Sequence, residues 1–413
     1  LKQLLEKYNP AIFFFYAIML LLPYGGVPIV WCIIGLALDF LIFKKWKSLN
    51  GLFNLKNPLS WMIAFYFFIC LSILWTKNKP EGSFELQQKL SLLIIPILVF
   101  ANKEAIIKKT KSILWVFVIS IFLASIFAIL NGLYVKQNHP NELINKIGIL
   151  PFYSEFYSFL HIAYFAFYIT ISSIILAYFF YYEIEKNKKI IFVSLFLFFL
   201  IPLYYLSSKA AFLAYLIMVG ISLMIAIVYS KQKKLYIFIA VLILVSTSII
   251  LQHNPRMYSS KKMATELLHP ENTNPEISSD VSNGQRIYVI KSSIEVIKSN
   301  FLIGVGAGDV IDEMELQYIK SDYKVLAKKK LNCHNQFLES FVELGIFGFF
   351  LFLLITFGIL IYSVFKMNFL LFIFMIGFVV MACTESFLNH QAGVVFYALM
   401  CSVFIIKKEE MLQ

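Results

Sequence analysis

Uninterrupted apolar runs recur along the whole chain, among them Trp61–Trp75, Ile113–Leu133, Ile190–Leu206, Leu235–Leu251 and Phe369–Cys383. Several are about twenty residues long, the length a helix needs to cross roughly 30 Å of hydrocarbon. Hydrocarbon offers no partner to a backbone N–H or C=O, so such runs must become helices or strands of a closed barrel. Barrel strands alternate apolar and polar residues, and these runs do not, which excludes a barrel. Hydrophobic residues make up 60% of the chain and charged residues 15%, with a mean hydropathy of +0.77, so an ordinary soluble domain is excluded too. The expected fold class is an all-α polytopic membrane protein with about twelve transmembrane helices and one large outer loop containing amphipathic helices.

The expected spans are 11–22, 26–43, 58–75, 86–101, 112–133, 156–182, 189–206, 209–230, 234–251, 336–365, 368–385 and 391–406. No small-residue cleavage site follows the first, and Pro23-Tyr24-Gly25-Gly26 reads as a tight turn, so it is expected to be a span rather than a signal peptide. The spans divide the chain into an N-terminal membrane region 1–251 with about nine helices, an outer loop 252–335, and a C-terminal membrane region 336–413 with about three. With the N-terminus inside, Lys44, Lys45, Lys47, Lys103, Lys108, Lys109, Lys111, Lys186, Lys188, Lys189, Lys231, Lys233, Lys234, Lys407 and Lys408 all fall in inner loops. That distribution obeys the positive-inside rule and puts both termini in the cytoplasm. The formal net charge of +12 is in part this topology signal. Its outer share suits anionic lipid or pyrophosphate, and no basic recognition module for nucleic acid is visible. The five cysteines have neither metal-ligand spacing nor a paired framework.

The outer loop carries the chemistry. Gln285–Lys298 has apolar residues at 287, 290, 294 and 297, an amphipathic helix capped by Ser282 or Asn283, with Arg286 in its first turn. A second amphipathic stretch, Ile311–Leu326, is expected along the membrane surface. A smaller outer loop covers 134–155.

Of 36 basic residues only Arg256 and Arg286 are arginines, and both lie in the large loop. Lysine supplies the generic positive charge, so these arginines point to a need for a planar, bidentate phosphate ligand, against a plain surface ion pair. His334 directly precedes the apolar run from Phe337, which places it at the membrane boundary as a general base or a helix-end anchor. Asn335 and Glu339 follow closely and can orient the imidazole. Gly304-Val305-Gly306-Ala307-Gly308 lacks the rest of a dinucleotide fingerprint and reads as a close backbone turn near substrate or near another helix. Lys209 begins a span at its outer end, as a functional cation or a snorkelling lysine. His161, Glu385 and His390 come out on the same side, where Glu385 can orient an imidazole or pair with a cation. No carboxylate cluster or histidine pair has metal-ligand spacing, so neither metal nor cofactor is expected.

Asn283-Gly284-Gln285-Arg286, the Gly304–Asp309 run, His334-Asn335-Gln336-Phe337-Leu338-Glu339 and Glu343-Leu344-Gly345-Ile346-Phe347-Gly348 together resemble the O-antigen ligase and polymerase superfamily. Weaker similarity reaches Leu206–Leu213 and Thr384-Glu385-Ser386. The resemblance implies a periplasmic outer loop in the bacterial inner membrane and glycan transfer from undecaprenyl diphosphate, inverting and metal-independent, onto lipid A–core or a related acceptor. It implies that His334 is catalytic and that Arg286 binds diphosphate. Lys209 stands where the family has a membrane arginine, a departure that keeps the charge and loses the fork; Arg256 is a further candidate for the diphosphate. Glycan polymerisation and protein O-glycosylation share the donor chemistry. A lipid or polysaccharide transporter is the reading from another class, against which stands the lack of repeat halves.

Overall fold

The computed structural model describes residues 9–138, 156–254 and 284–407, and among these every regular element is a helix. The order is α1 Pro10–Leu21, α2 Val27–Ile42, α3 Pro58–Ser72, α4 Lys79–Lys89, α5 Ser91–Ala101, α6 Lys103–Asn138, α7 Ile162–Tyr182, α8 Lys186–Leu206, α9 Lys209–Tyr229 and α10 Lys233–His253. Then come α11 Gly284–Ser299, α12 Val310–Lys320, α13 Lys324–Lys329, α14 Gln336–Leu353, α15 Ile359–Phe365, α16 Phe369–Ala382 and α17 Gln391–Ile406. Among the described residues six helical stretches are long and apolar enough to cross a membrane, and five shorter apolar helices of 10–17 residues accompany them. The fold is that of a multi-pass helical membrane protein.

Helices lie where the spans are expected, apart from local shifts, and six helical stretches rather than twelve are long and apolar enough to cross among the described residues. The expected span 86–101 begins inside a polar helix, α4, which meets α5 end to end at Leu90. The expected span 156–182 becomes helical only at Ile162, and 112–133 lies inside the 36-residue α6. Proline at the first or second position starts α1, α2, α3 and α4, where the missing N–H costs nothing.

Turns of two to three residues join α7, α8, α9 and α10, so these helices run antiparallel. The start of α7, the end of α8, the start of α9 and the end of α10 therefore share one end of the bundle. Phe156 stacks on Tyr205 there at 5.5 Å, and Asn254 donates to Tyr204 O at 2.8 Å. Lysines gather at the opposite end, where Lys111 lies 4.0 Å from Glu183 and Lys407 donates to the Tyr178 hydroxyl at 2.7 Å. At the centre is α7, 89% buried over its apolar window. Its hydroxyls turn inward: Thr170 and Ser173 bond back to carbonyls one turn earlier, which satisfies them without water.

A second, smaller core lies over the site end of the bundle. Val289 and Val296 of α11, Met314 and Tyr318 of α12, Leu326 and Cys333 pack on Val342 of α14. The expected amphipathic stretch 311–326 divides into α12 and α13, because Asp322 takes a left-handed backbone conformation at φ 55°.

Candidate active site

Helix α14 is broken at Gly345, whose φ of 64° and ψ of −165° lie outside the helical region and cost little only in glycine. The break frees backbone groups inside a membrane span, and the glycine run satisfies them. Val305 N donates to Val342 O and Gly306 N to Glu343 O, both at 2.9 Å, while Ile346 N donates to Phe301 O at 2.9 Å. Gly304 sits so close that an added Cβ would lie 2.5 Å from Gly345 N. Gly308 likewise presses on Asn78 O and Gly82 N, and Asp309 accepts from Lys77 N and Asn78 N at 2.7 Å each. Of the two uses expected for Gly304, Gly306 and Gly308, the geometry is that of close approach to other backbone. The run fastens α12 to the α3–α4 turn and to the broken helix.

Deeper in the same region Lys89 of α4 bonds both carboxylate oxygens of Glu343, at 2.7 and 2.8 Å, and lies 3.0 Å from Glu85. The side chains of Lys89 and Glu343 are 4% and 3% exposed, so this is a buried ion pair.

Above that anchor, the first turn of α14 grips the connector between α16 and α17. Asn335 caps α14, accepting from Phe337 N and Leu338 N, and donates through Nδ2 to Cys383 O at 3.0 Å. Gln336 accepts from Leu388 N at 2.6 Å. Glu339 accepts from Cys333 N and Ser386 Oγ, each at 3.0 Å, on one oxygen and from Asn389 Nδ2 at 2.6 Å on the other.

These clamps bring His334 and Glu385 together. His334 has a left-handed backbone at φ 45°, with its N–H bonded to Asn332 Oδ1 at 3.1 Å. A non-glycine residue held there costs of order 1–3 kcal/mol and is characteristic of sites where side-chain direction matters. Its Nδ1 stands 3.8 Å from Glu385 Oε2, and Arg286 Nη2 of α11 donates to Glu385 Oε1 at 3.1 Å. His161 caps the start of α7, and its charge acts on the same carboxylate. Burial works against ionisation of Glu385, but the His334 interaction and the charges of Arg286, His334 and His161 outweigh it and hold the carboxyl below the usual range. All three side chains of the central triad keep partial access, at 32% for Arg286, 29% for His334 and 20% for Glu385.

The candidate site is therefore Arg286, His334, Glu385 and His161 at one end of the bundle. The imidazole faces Glu385, whereas Glu339, expected to orient it, is turned to Cys333 N, Ser386 and Asn389. Asn335 likewise caps α14 and holds Cys383. Lys209 opens α9 at the same end, half-buried behind the capping Ser208. Arg256 and the caps Ser282 and Asn283 lie outside the described residues, although Asn254, two positions before Arg256, is buried and hydrogen-bonded to Ser207. Sequence reasoning passed over Gln336, Lys89 and Glu85. Lys89 had a signal, a lone charge inside an expected span. Cys333 and Cys383 are both free thiols. Among the described residues no group of three or more His, Cys, Asp or Glu is arranged to hold a metal ion.

The O-Antigen ligase family model matches residues 192–353, which run from α8 through α14 and include Lys209, Arg286 and His334. The match supports the O-antigen ligase superfamily for this segment, which is similar to membrane enzymes of ligase or polymerase type. Glu385 and His161 fall outside the matched segment. An uncharacterized protein of Haemophilus influenzae (strain ATCC 51907 / DSM 11121 / KW20 / Rd) is 26% identical over 432 residues, covering 97% of this chain and 99% of that protein.

Proposed function

We propose that this protein transfers a glycan from undecaprenyl diphosphate to a hydroxyl of lipid A–core or a related acceptor, at the periplasmic face of the bacterial inner membrane. The observation that carries the proposal is the convergence of His334, Glu385 and Arg286, from three separate segments, at one end of an apolar bundle. Glu385 faces Nδ1 of His334, which favours the tautomer with its proton on Nδ1 and leaves Nε2 as the base. Nε2 takes the acceptor hydroxyl proton as the acceptor oxygen bonds to the anomeric carbon. The bond from that carbon to the diphosphate oxygen breaks on the opposite face, and its electron pair leaves with the diphosphate, so the anomeric centre inverts. Negative charge builds on the leaving group, and Arg286, Lys209 and Arg256 are the cations proposed to stabilise it in the transition state. General-base assistance of this kind contributes roughly 10²–10⁴-fold.

A surface-glycan gel on a strain lacking the gene tests the assignment. Bare lipid A–core with long polymer retained on the lipid carrier is the expected result. Core bearing a single repeat unit would assign polymerisation instead. Complementation with His334→Ala should leave the defect unrepaired, and full repair would remove His334 from the mechanism.

A further inference from the structure

One carboxylate outside the reacting group touches both sides of the site. Glu339 Oε2 accepts from the backbone N–H of Cys333, the residue before His334, and from the hydroxyl of Ser386, the residue after Glu385. Its other oxygen holds Asn389, further along the segment that carries Glu385. The residue is 2% exposed, so none of these bonds competes with water. Glu339 lies one helical turn above Glu343, which Lys89 pins to α4. The clamp is thereby referenced to the bundle rather than to another loop.

We infer that Glu339 is a positioning residue that sets the separation between the His334 imidazole and the Glu385 carboxylate. The two residues lie on segments 51 positions apart, counting from 334 to 385, and both flanks meet on one oxygen. Asn335 and Gln336 add bonds to Cys383 O and Leu388 N, but each reaches only the Glu385 side. Among these three only the Glu339 side chain bonds the backbone before His334 as well as the segment that carries Glu385. Without it, the Cys333 N–H, one peptide before the one that His334 N closes onto Asn332, loses its partner, and the turn that holds His334 in its left-handed conformation is less fixed. A drift of about 1 Å there is the scale of misplacement that costs on the order of 10²-fold in rate. Substrate affinity rests on other groups, Arg286 foremost, and should change little. This inference rests on the proposed role of His334.

The test is transfer kinetics of the full-length purified protein with an undecaprenyl-diphosphate-linked glycan and its acceptor. Glu339→Ala should lower kcat about 10–100-fold with KM for the donor within about threefold. Glu339→Gln keeps an acceptor oxygen of the same reach and should restore kcat to within about threefold of wild type. In a Glu385→Gln background the alanine change should cost less than about threefold more, because the spacing it sets no longer has a charge at one end. Should Glu339→Ala fail to fold, Ser386→Ala removes one arm of the clamp and should lower kcat with KM unchanged. Wild-type kcat in Glu339→Ala, or the same fold-loss in both backgrounds, overturns the inference. Full activity of His334→Ala sinks the proposed function itself; an inactive His334→Ala beside a fully active Glu339→Ala sinks only the clamp.

Discussion

Replacing Lys89 by methionine should unfasten α4 from α14. The lysine makes two bonds of 2.7 and 2.8 Å to Glu343 and lies 3.0 Å from Glu85, with the Lys89 and Glu343 side chains 4% and 3% exposed. Methionine keeps most of the volume but leaves Glu343 without its cation. Removing one partner of a buried pair costs about 3–5 kcal/mol, because the surviving charge is neither solvated nor paired. Glu85 is 14% exposed and keeps some contact with solvent, so it adds less. The expected loss is thus about 3–5 kcal/mol, and about 1.4 kcal/mol corresponds to a factor of ten in an equilibrium constant. The double variant Lys89→Met with Glu343→Gln removes both charges and should recover to within about 1–2 kcal/mol of wild type. Reversible denaturation in micelles, followed by circular dichroism, measures all four corners of the cycle. A single variant within about 1 kcal/mol of wild type, or a double variant no better than the single, would refute the argument that this pair is held as buried charge.

Two further outcomes follow from the geometry. Gly304→Ala places a Cβ 2.5 Å from Gly345 N at a φ of +70°, so it should cost about 1–2 kcal/mol in backbone strain and about 1 kcal/mol for each of the Val305 and Gly306 hydrogen bonds it displaces. Hydrogen exchange at those two amides should accelerate, whereas Gly220→Ala, with nothing within 4 Å of its Cβ, should leave them unchanged. Glu385 has its carboxyl lowered from the usual 4.5, so its contacts contribute stability that is fully present above pH 4.5 and is lost as pH falls through the lower folded value. The stability difference between wild type and Glu385→Gln should shrink as pH falls below 4.5 in acid titration; a difference that grows there would contradict the assigned direction.

Much of the bundle was legible in the sequence because hydrocarbon leaves the backbone little choice. A run such as Ile190–Leu206 can only close its own hydrogen bonds, and α8 does so over Lys186–Leu206. Arg286 and His334 were legible through scarcity and position. The partner that joins them was not: Arg286 and Glu385 stand 99 residues apart, and nothing local in Thr384-Glu385-Ser386 says which cation it faces. The same blindness affected Glu339, expected to orient the imidazole, whereas its carboxylate meets Cys333 N and the side chains of Ser386 and Asn389. The glycine run and Glu343-Leu344-Gly345 each looked like separate features. They are two halves of one exchange of hydrogen bonds, and such pairing leaves no trace in either half alone.

The burial of α7 has a bearing on how the chain is made. Tyr168 reaches across 224 positions to donate to Ala392 O, and its ring lies 4.1 Å from that of Phe396 in α17. When α7 leaves the ribosome, that neighbour has yet to be synthesised. The helix must therefore wait in lipid, and its largely apolar sequence suits it to do so, with Thr170 and Ser173 already bonded within their own helix. Only when α17 inserts does the centre of the bundle close. Insertion of α17, rather than the emergence of His334, is then what closes the centre of the bundle.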